Sequence, residues 1–286
     1  MWALRGLRNG VLTTRWPARP DPYAAAGRGP ATVLDERPAE AGLDQIDTEQ
    51  IDTKQIDTEQ INTEQMGSEQ LERICPTGAI RLADGAVRLD QGRCIQCGRC
   101  VAARPDVFGW AEGPAVGGLS RGGLVVPEID ETPERLAALR DGLRERTAAL
   151  RRSVHLRHVD AGSDGTEEWE ILALFNPVYD VHRLGIFLTA SPRHADILLV
   201  TGAGARGMTE PLRRTYDAMP DPKIVIAVGT DAVSGGLTAP SYAVTGGVAA
   251  TVPVDVFVPG SPPAPFSILH AVLLGLGRIA PMEAGR

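Results

Sequence analysis

The chain has 286 residues, room for two modest domains and too many for one small module. Its 43% hydrophobic and 23% charged content is ordinary globular usage, which excludes a fibrous or wholly disordered chain. A formal net charge of −7 argues against a general nucleic-acid binder, and apolar runs stop at five residues, as in Ile224–Val228, so no membrane span is expected.

The charge is unevenly placed. Residues 1–30 carry five Arg against one Asp, with Trp2, Leu4, Leu7 and Val11 interleaved. This reads as a basic amphipathic segment that docks on a partner or an anionic membrane face. An organelle transit peptide also suits an Arg-rich, acid-poor start, and a frayed basic tail is the plainer alternative. Residues 31–72 carry twelve acids against Arg37 and Lys54. From Gln45 the chain repeats QIDTE-like pentads up to Ile74. Five residues turn a helix by ~140° net, so Ile46, Ile51, Ile56 and Ile61 form no stripe; the stretch reads as a solvated, disordered acidic linker.

All four cysteines follow within 26 consecutive residues. Such clustering points to metal binding in a reducing compartment rather than to disulfides. Cys94, Cys97 and Cys100 stand at C-x2-C-x2-C, which lets one tight loop present three thiolates to one face of a cubane. Cys75, followed by Pro76, supplies the fourth corner from across a short strand pair around Ala83-Asp84-Gly85. The pattern resembles half of a bacterial two-cluster ferredoxin. It departs at residue 104, where Arg104-Pro105 replaces the next Cys-Pro, so the chain can hold one [4Fe–4S] cluster and not two. A four-Cys zinc site is the alternative, but such sites usually pair two knuckles.

A Gly/Pro-rich connector from Gly109 to Thr132 leads to a helix over Pro133–Arg152, with Thr132 as N-cap. Strands are expected at Leu184–Thr189, Asp196–Thr201, Ile224–Gly229 and Val254–Val258, with helices near Thr209–Ala218 and Pro265–Leu274. Apolar runs alternating with helices indicate a parallel sheet covered on both faces. Gly202, Gly204 and Gly207 match G-x-G-x-x-G after a strand. The ribose-binding acid at the end of the next strand is missing, so the turn reads as structural and no nucleotide site is expected.

Longer motifs carry a resemblance over residues 1–20 and nearly all of 73–278. Tyr179-Asp-Val-His-Arg-Leu-Gly185, Ser191-Pro-Arg-His-Ala-Asp196 with the strand after it, and Pro253-Val-Asp-Val-Phe-Val-Pro-Gly260 look like the small, cluster-bearing (B-type) subunit of complex I. They look closer still to its counterpart in membrane-bound, energy-converting [NiFe] hydrogenases of the hydrogenase-4/formate hydrogenlyase type. The front part, including Gly10-Val-Leu-Thr-Thr-Arg-Trp-Pro17, is similar to the ferredoxin subunit of the same complexes. The resemblance implies a fusion of two subunits with an α/β fold class: a ferredoxin-like α+β unit at 73–131, then a flavodoxin-like parallel α/β unit at 156–278. A connecting helix at 132–155 joins them, and 279–286 form a tail.

The same resemblance implies a second cluster on four cysteines, and here each is replaced. Asp164 and Glu167 stand in Asp160-Ala-Gly-Ser-Asp-Gly-Thr-Glu-Glu168, Asp231 in Gly229-Thr-Asp-Ala232, and Ser261 in Pro259-Gly-Ser-Pro-Pro263. Oxygen donors are poor ligands for a cubane, so this cluster is expected to be lost. Asp164, Glu167, Asp231 and Ser261 are expected to converge at one edge, with Arg183 and Arg206 as the nearest candidates to pair with the acids.

Three readings follow. The chain is an electron-transfer subunit with one [4Fe–4S] cluster, peripheral on the cytoplasmic face of the membrane. Its partners are then a large subunit and membrane subunits, with no complete active site of its own. Alternatively its α/β half is a degenerate structural scaffold. As a third reading, Asp164, Glu167, Asp231 and Ser261 hold a hard cation such as Mg²⁺ or Mn²⁺.

Overall fold

The computed structural model describes residues 10–34, 68–83, 86–127, 132–150 and 153–279. The pentad repeats before Ser68 lie outside the described residues, and so does the expected tail beyond Ile279.

The first half is a small α+β unit. Asp21 caps a single turn, α1 (Pro22–Ala25), by accepting hydrogen bonds from the Tyr23 and Ala24 N–H groups. Strand β1 (Arg28–Val33) follows, then helix α2 (Ser68–Ile74) and strands β2 (Ile80–Ala83) and β3 (Ala86–Asp90). β2 and β3 pair antiparallel, with Ile80 opposite Leu89 and Leu82 opposite Val87. Helix α3 (Arg99–Ala103) precedes β4 (Phe108–Glu112), which pairs antiparallel with β1, and β5 (Val125–Val126) completes a three-stranded sheet on β3. Ala31, Leu71, Ile80, Leu89 and Phe108 form the core of this unit, together with Cys94 and Cys100.

Helix α4 (Pro133–Thr147) starts as expected, with the Thr132 side chain accepting from the Arg135 N–H. It ends five residues before the expected Arg152. The chain has to turn there to begin strand β6 (Val154–Asp160), whose first N–H bonds to Gly185 O. β6 carries no clean apolar run, and helix α5 (Thr166–Ala173) leads into the apolar run Ile171–Phe175; neither is among the expected elements.

β7 (Ile186–Leu188), β8 (Ile197–Thr201), α6 (Thr209–Asp217), β9 (Ile224–Val228), β10 (Val256–Val258) and α8 (Pro265–Gly275) alternate as expected, and a short helix α7 (Thr230–Ser234), not among the expected elements, follows β9. All pairings are parallel, in the order β7-β6-β8-β9-β10. Counted within this half, that is 2-1-3-4-5, the order of flavodoxin-like sheets. β8 and β9 are buried at every residue because both faces are covered. Ile197, Leu199, Ile224 and Ile226 face one core, and Leu198, Val200, Val225 and Ala227 face the other. α8 is buried over its whole length, which is why its sequence is mostly apolar, with Ser267 and His270 as its buried polar residues.

The N-terminal segment expected to dock on a partner folds, over residues 10–34, onto this chain. The Thr14 N–H donates to Val178 O at 2.8 Å and Thr13 Oγ1 to Pro177 O at 2.8 Å. Trp16 packs edge-on against Phe266 of α8 at 5.8 Å. Residues 28–33 then join the cysteine-bearing unit as β1, and residues 68–72 of the expected linker are helical.

Candidate functional site

The cysteine loops are locked by short-range geometry. Cys75 closes α2, and its Sγ accepts the Ala79 N–H at 3.3 Å. Thr77 Oγ1 donates to Arg93 O at 2.6 Å, tying the Cys75 loop to the Cys94 loop. Cys94 Sγ accepts two backbone N–H groups, from Ala31 of β1 and from Gln96, each at 3.4 Å. Gln96 at φ 57° and Gly98 at φ 76° turn the chain back on itself before α3, which carries Cys100. Cys94 and Cys100 are buried, Cys75 is half-buried and Cys97 is exposed. Burial pushes the Cys100 thiol up to about 11, and its neighbours Cys94, Cys75 and Cys97 add to the shift. Cys94 is raised by burial too, with Cys75 and Cys97 contributing. Among the described residues the four cysteines are not drawn together as ligands of one ion. Arg104, where a further cysteine would stand, is buried in a bidentate pair with Asp106 at 2.8 and 2.6 Å.

The two halves meet at Cys94. Thr230 Oγ1 donates to Cys94 O at 2.8 Å and accepts the Gly260 N–H at 3.0 Å, while the Thr230 N–H donates to Gly260 O at 2.7 Å. One hydroxyl thus joins the cysteine loop to the loops after β9 and β10.

Around that joint lie the four positions at which the resemblance implies lost cysteines. Asp164 follows β6, Glu167 and Asp231 lie in the first turns of α5 and α7, and Ser261 follows β10. All four are at the carboxyl end of the sheet, where open α/β sheets bind ligands. Asp164 accepts the Thr166 hydroxyl at 2.6 Å and the Thr166 N–H at 3.0 Å, and these bonds hold its carboxyl below the usual range. Glu167 is 1% exposed, and burial, with Asp231 and Asp164 adding negative charge, pushes it up to about 7. Asp231 is raised by burial and by Asp164. The three carboxyls thus act on one another, whereas Ser261 is exposed on the neighbouring loop.

The expected arginine partners are elsewhere. Arg183 donates to Tyr179 O at 3.3 Å and to Trp16 O, so it serves the N-terminal segment, and Arg206 is exposed. Hydrogen bonds from Thr166 and the raised Glu167 relieve the charge instead. Among the described residues, no three His, Cys, Asp or Glu side chains are gathered as ligands of a single ion. The glycine turn of Gly202 to Gly207 spends its backbone on the protein itself. The Ala203 N–H bonds to Gly162 O, the Ala205 N–H to Ala161 O and the Arg206 N–H to Ala243 O. Those are the donors a pyrophosphate would need.

Three features carried no local sequence signal. Glu168 Oε1 accepts from Ser163 Oγ at 2.8 Å and Thr201 Oγ1 at 2.5 Å, with His158 Nε2 at 3.3 Å. The Thr230 joint depends on residues 136 positions apart. A cavity of about 480 Å³ opens between Trp16, Ala24, Pro114, His270 and Ile279.

Residues 165–274, from the start of α5 to the end of α8, match the family described as NADH ubiquinone oxidoreductase, 20 Kd subunit. Over 156 residues the chain is 41% identical to formate hydrogenlyase subunit 7 of Escherichia coli, covering 54% of this chain and 59% of that protein. Over 134 residues it is 45% identical to the probable membrane-bound hydrogenase subunit mbhJ of Pyrococcus furiosus, covering 47% of this chain and 80% of that protein. A chain of the membrane-bound sulfane sulfur reductase, an archaeal respiratory membrane complex, is similar at 28% identity and a TM-score of 0.41, over 46% of this chain and 74% of that one. With a matching family model and a relative covered over four fifths of its length, the chain belongs to the NADH ubiquinone oxidoreductase 20 kDa subunit family.

Proposed function

We propose that the chain is an electron-transfer subunit of a membrane-associated, complex I-like or [NiFe]-hydrogenase-like oxidoreductase. Cys75, Cys94, Cys97 and Cys100 hold one [4Fe–4S] cluster in a ferredoxin-like unit. The observation that carries this reading is the thiol environment. Backbone N–H groups of Ala31, Gln96 and Ala79 point at two of the sulfurs, and Thr77 ties the Cys75 loop to the Cys94 loop. Such donors stabilise a thiolate and tune a cluster's potential. The donor set is soft and fits iron–sulfur; the oxygen donors of the α/β half do not.

When bound, the cluster takes up and passes on one electron at a time. The chain's own residues fix where that happens. Ala31 and Gln96 orient Cys94, Thr77 holds the two cysteine loops together, and Thr230 clamps the Cys94 carbonyl. Exposed Cys97 marks the edge that a one-electron partner approaches. The α/β half docks the large subunit. Trp169 on α5 is 73% exposed and Leu172, three residues on, is also exposed, an apolar pair beside the carboxylate loops. We place it peripherally on the cytoplasmic face, held by membrane subunits; the relative named a membrane-bound hydrogenase subunit supports association with such a complex.

Iron and acid-labile sulfide analysis of anaerobically prepared protein tests the reading. About four irons per chain and one paramagnetic centre on reduction are expected. Close to eight irons would mean that the α/β half also carries a cluster. Iron-free protein after reconstitution would leave the structural-scaffold reading in its place.

A further inference from the structure

We infer that the cavity beside His270 is a binding site for a small uncharged apolar molecule that carries one hydroxyl, as a phenol does, held by a hydrogen bond to the imidazole. No cysteine lines this cavity, nor does Asp164, Glu167, Asp231 or Ser261, so the site stands apart from the cluster reading.

The cavity measures about 480 Å³, within the range of small-molecule sites, and its walls come from three separate stretches of chain. The N-terminal segment supplies Trp16 and Ala24, the loop after β4 supplies Pro114, and α8 with the turn beyond it supplies His270 and Ile279. Contacts within the protein fix these walls. Trp16 leans edge-on against Phe266 at 5.8 Å and lies 6.4 Å from the His270 ring. The Thr14 N–H anchors the same segment on Val178 O at 2.8 Å. Exposed Pro20 and Ala25 also line the cavity and give it a mouth toward solvent.

His270 is the polar group of these walls that the chain leaves unsatisfied. It is 4% exposed, and its Nδ1 is buried without a hydrogen-bond partner among the described residues. A buried polar atom left unpaired is costly, and native interiors pair nearly all of them. Burial pushes the imidazole down to about 4, so at neutral pH it is uncharged, with one nitrogen a donor and the other an acceptor. A hydroxyl answers either nitrogen, because it both donates and accepts. The charged groups at the cavity disfavour an ion. Asp21 and Glu112 are carboxylates and repel an anion. Asp21 already accepts from the Thr14 hydroxyl and the Tyr23 and Ala24 N–H groups, and Glu112 is exposed where solvent screens it. A cation therefore finds no buried counter-charge. What remains is an apolar space with one neutral polar anchor.

Calorimetric titration of the full chain at neutral pH with p-cresol, p-xylene and p-toluate tests this, because the three differ only in the hydroxyl, methyl or carboxylate on the ring. Saturable one-site binding of p-cresol is expected, with p-xylene about tenfold weaker for want of the hydrogen bond and no detectable binding of p-toluate. In His270→Leu, p-cresol and p-xylene bind equally. Ala25→Phe, at the exposed mouth and outside the core, weakens both neutral probes together. Absence of saturable p-cresol binding, equal binding of p-cresol and p-xylene by the unaltered chain, or a preference for p-cresol that survives His270→Leu overturns the proposal. So does binding that appears only after removal of residues 1–9 or 280–286, which would give the cavity to the chain's own ends.

Discussion

Glu167 and His270 are both buried and titratable, and they pull stability in opposite directions with pH. Glu167 has a folded-state value raised from 4.5 to about 7. Its contribution is fully present below the unfolded value and is lost as pH rises through the folded one. His270, 4% exposed with Nδ1 unpartnered, is depressed from 6.5 to about 4. Its contribution is present above 6.5 and is lost as pH falls toward 4. Each full swing is worth about 3 kcal/mol. Urea unfolding at a series of pH values is therefore expected to show Glu167→Gln gaining on the unaltered protein between pH 5 and 8, roughly over that window. His270→Leu is expected to blunt the loss on the acid side. Equal pH profiles for the Gln variant and the unaltered protein would place the Glu167 carboxyl in solvent.

At the scale of elements, β1 is the piece that sequence order hides. It comes before the acidic linker yet pairs with β4 and supplies the Ala31 N–H to Cys94 Sγ. Gln91 Nε2 in turn donates to Ala31 O at 3.1 Å, so the strand braces the loop from both sides. Deleting residues 1–34 is expected to strip most of the iron, because metal binding and folding of so small a unit are coupled. Ala31→Pro, which removes the N–H and also fixes the backbone of this buried strand position, is expected to keep the fold of the α/β half and weaken iron retention. Full iron content in both variants would show that β1 is ornamental. Other elements behave as their sequences suggest. β8 and β9 are buried at every residue because each is covered on two faces, and α8 is mostly apolar because its whole length is buried. β6 escaped notice because His155, Arg157 and His158 interrupt its apolar residues, and these side chains are only partly buried.

For the whole molecule, the carboxylates stand where the family resemblance implies a second cluster. Gly229, at φ 94°, and Gly260, at φ 140°, still shape the loops that bear Asp231 and Ser261. Restoring thiols at all four positions, with Asp164→Cys, Glu167→Cys, Asp231→Cys and Ser261→Cys combined, is expected to raise the iron content after reconstitution from about four to about eight per chain. A value that stays near four, with the first site loaded, would mean that the loops no longer present four ligands to one centre.

What the sequence determined by itself is local. The spacing of Cys94, Cys97 and Cys100 placed three thiols on one loop, because two-residue gaps leave a chain little freedom. Runs such as Ile224–Val228 marked buried parallel strands, since hydrophobic burial is read directly from composition over a few residues. Motif order marked the relation to the small subunit, and the comparisons bear it out at the level of the family. What only the tertiary structure decided joins distant residues. These are the β1–β4 pairing, the hydroxyl of Thr230 on Cys94 O, the gathering of Asp164, Glu167 and Asp231, and the burial that moves Glu167 to about 7. No spacing rule encodes such contacts. They arise when the sheet order 2-1-3-4-5 brings the ends of β6, β9 and β10 to one edge and the cysteine loops close over it.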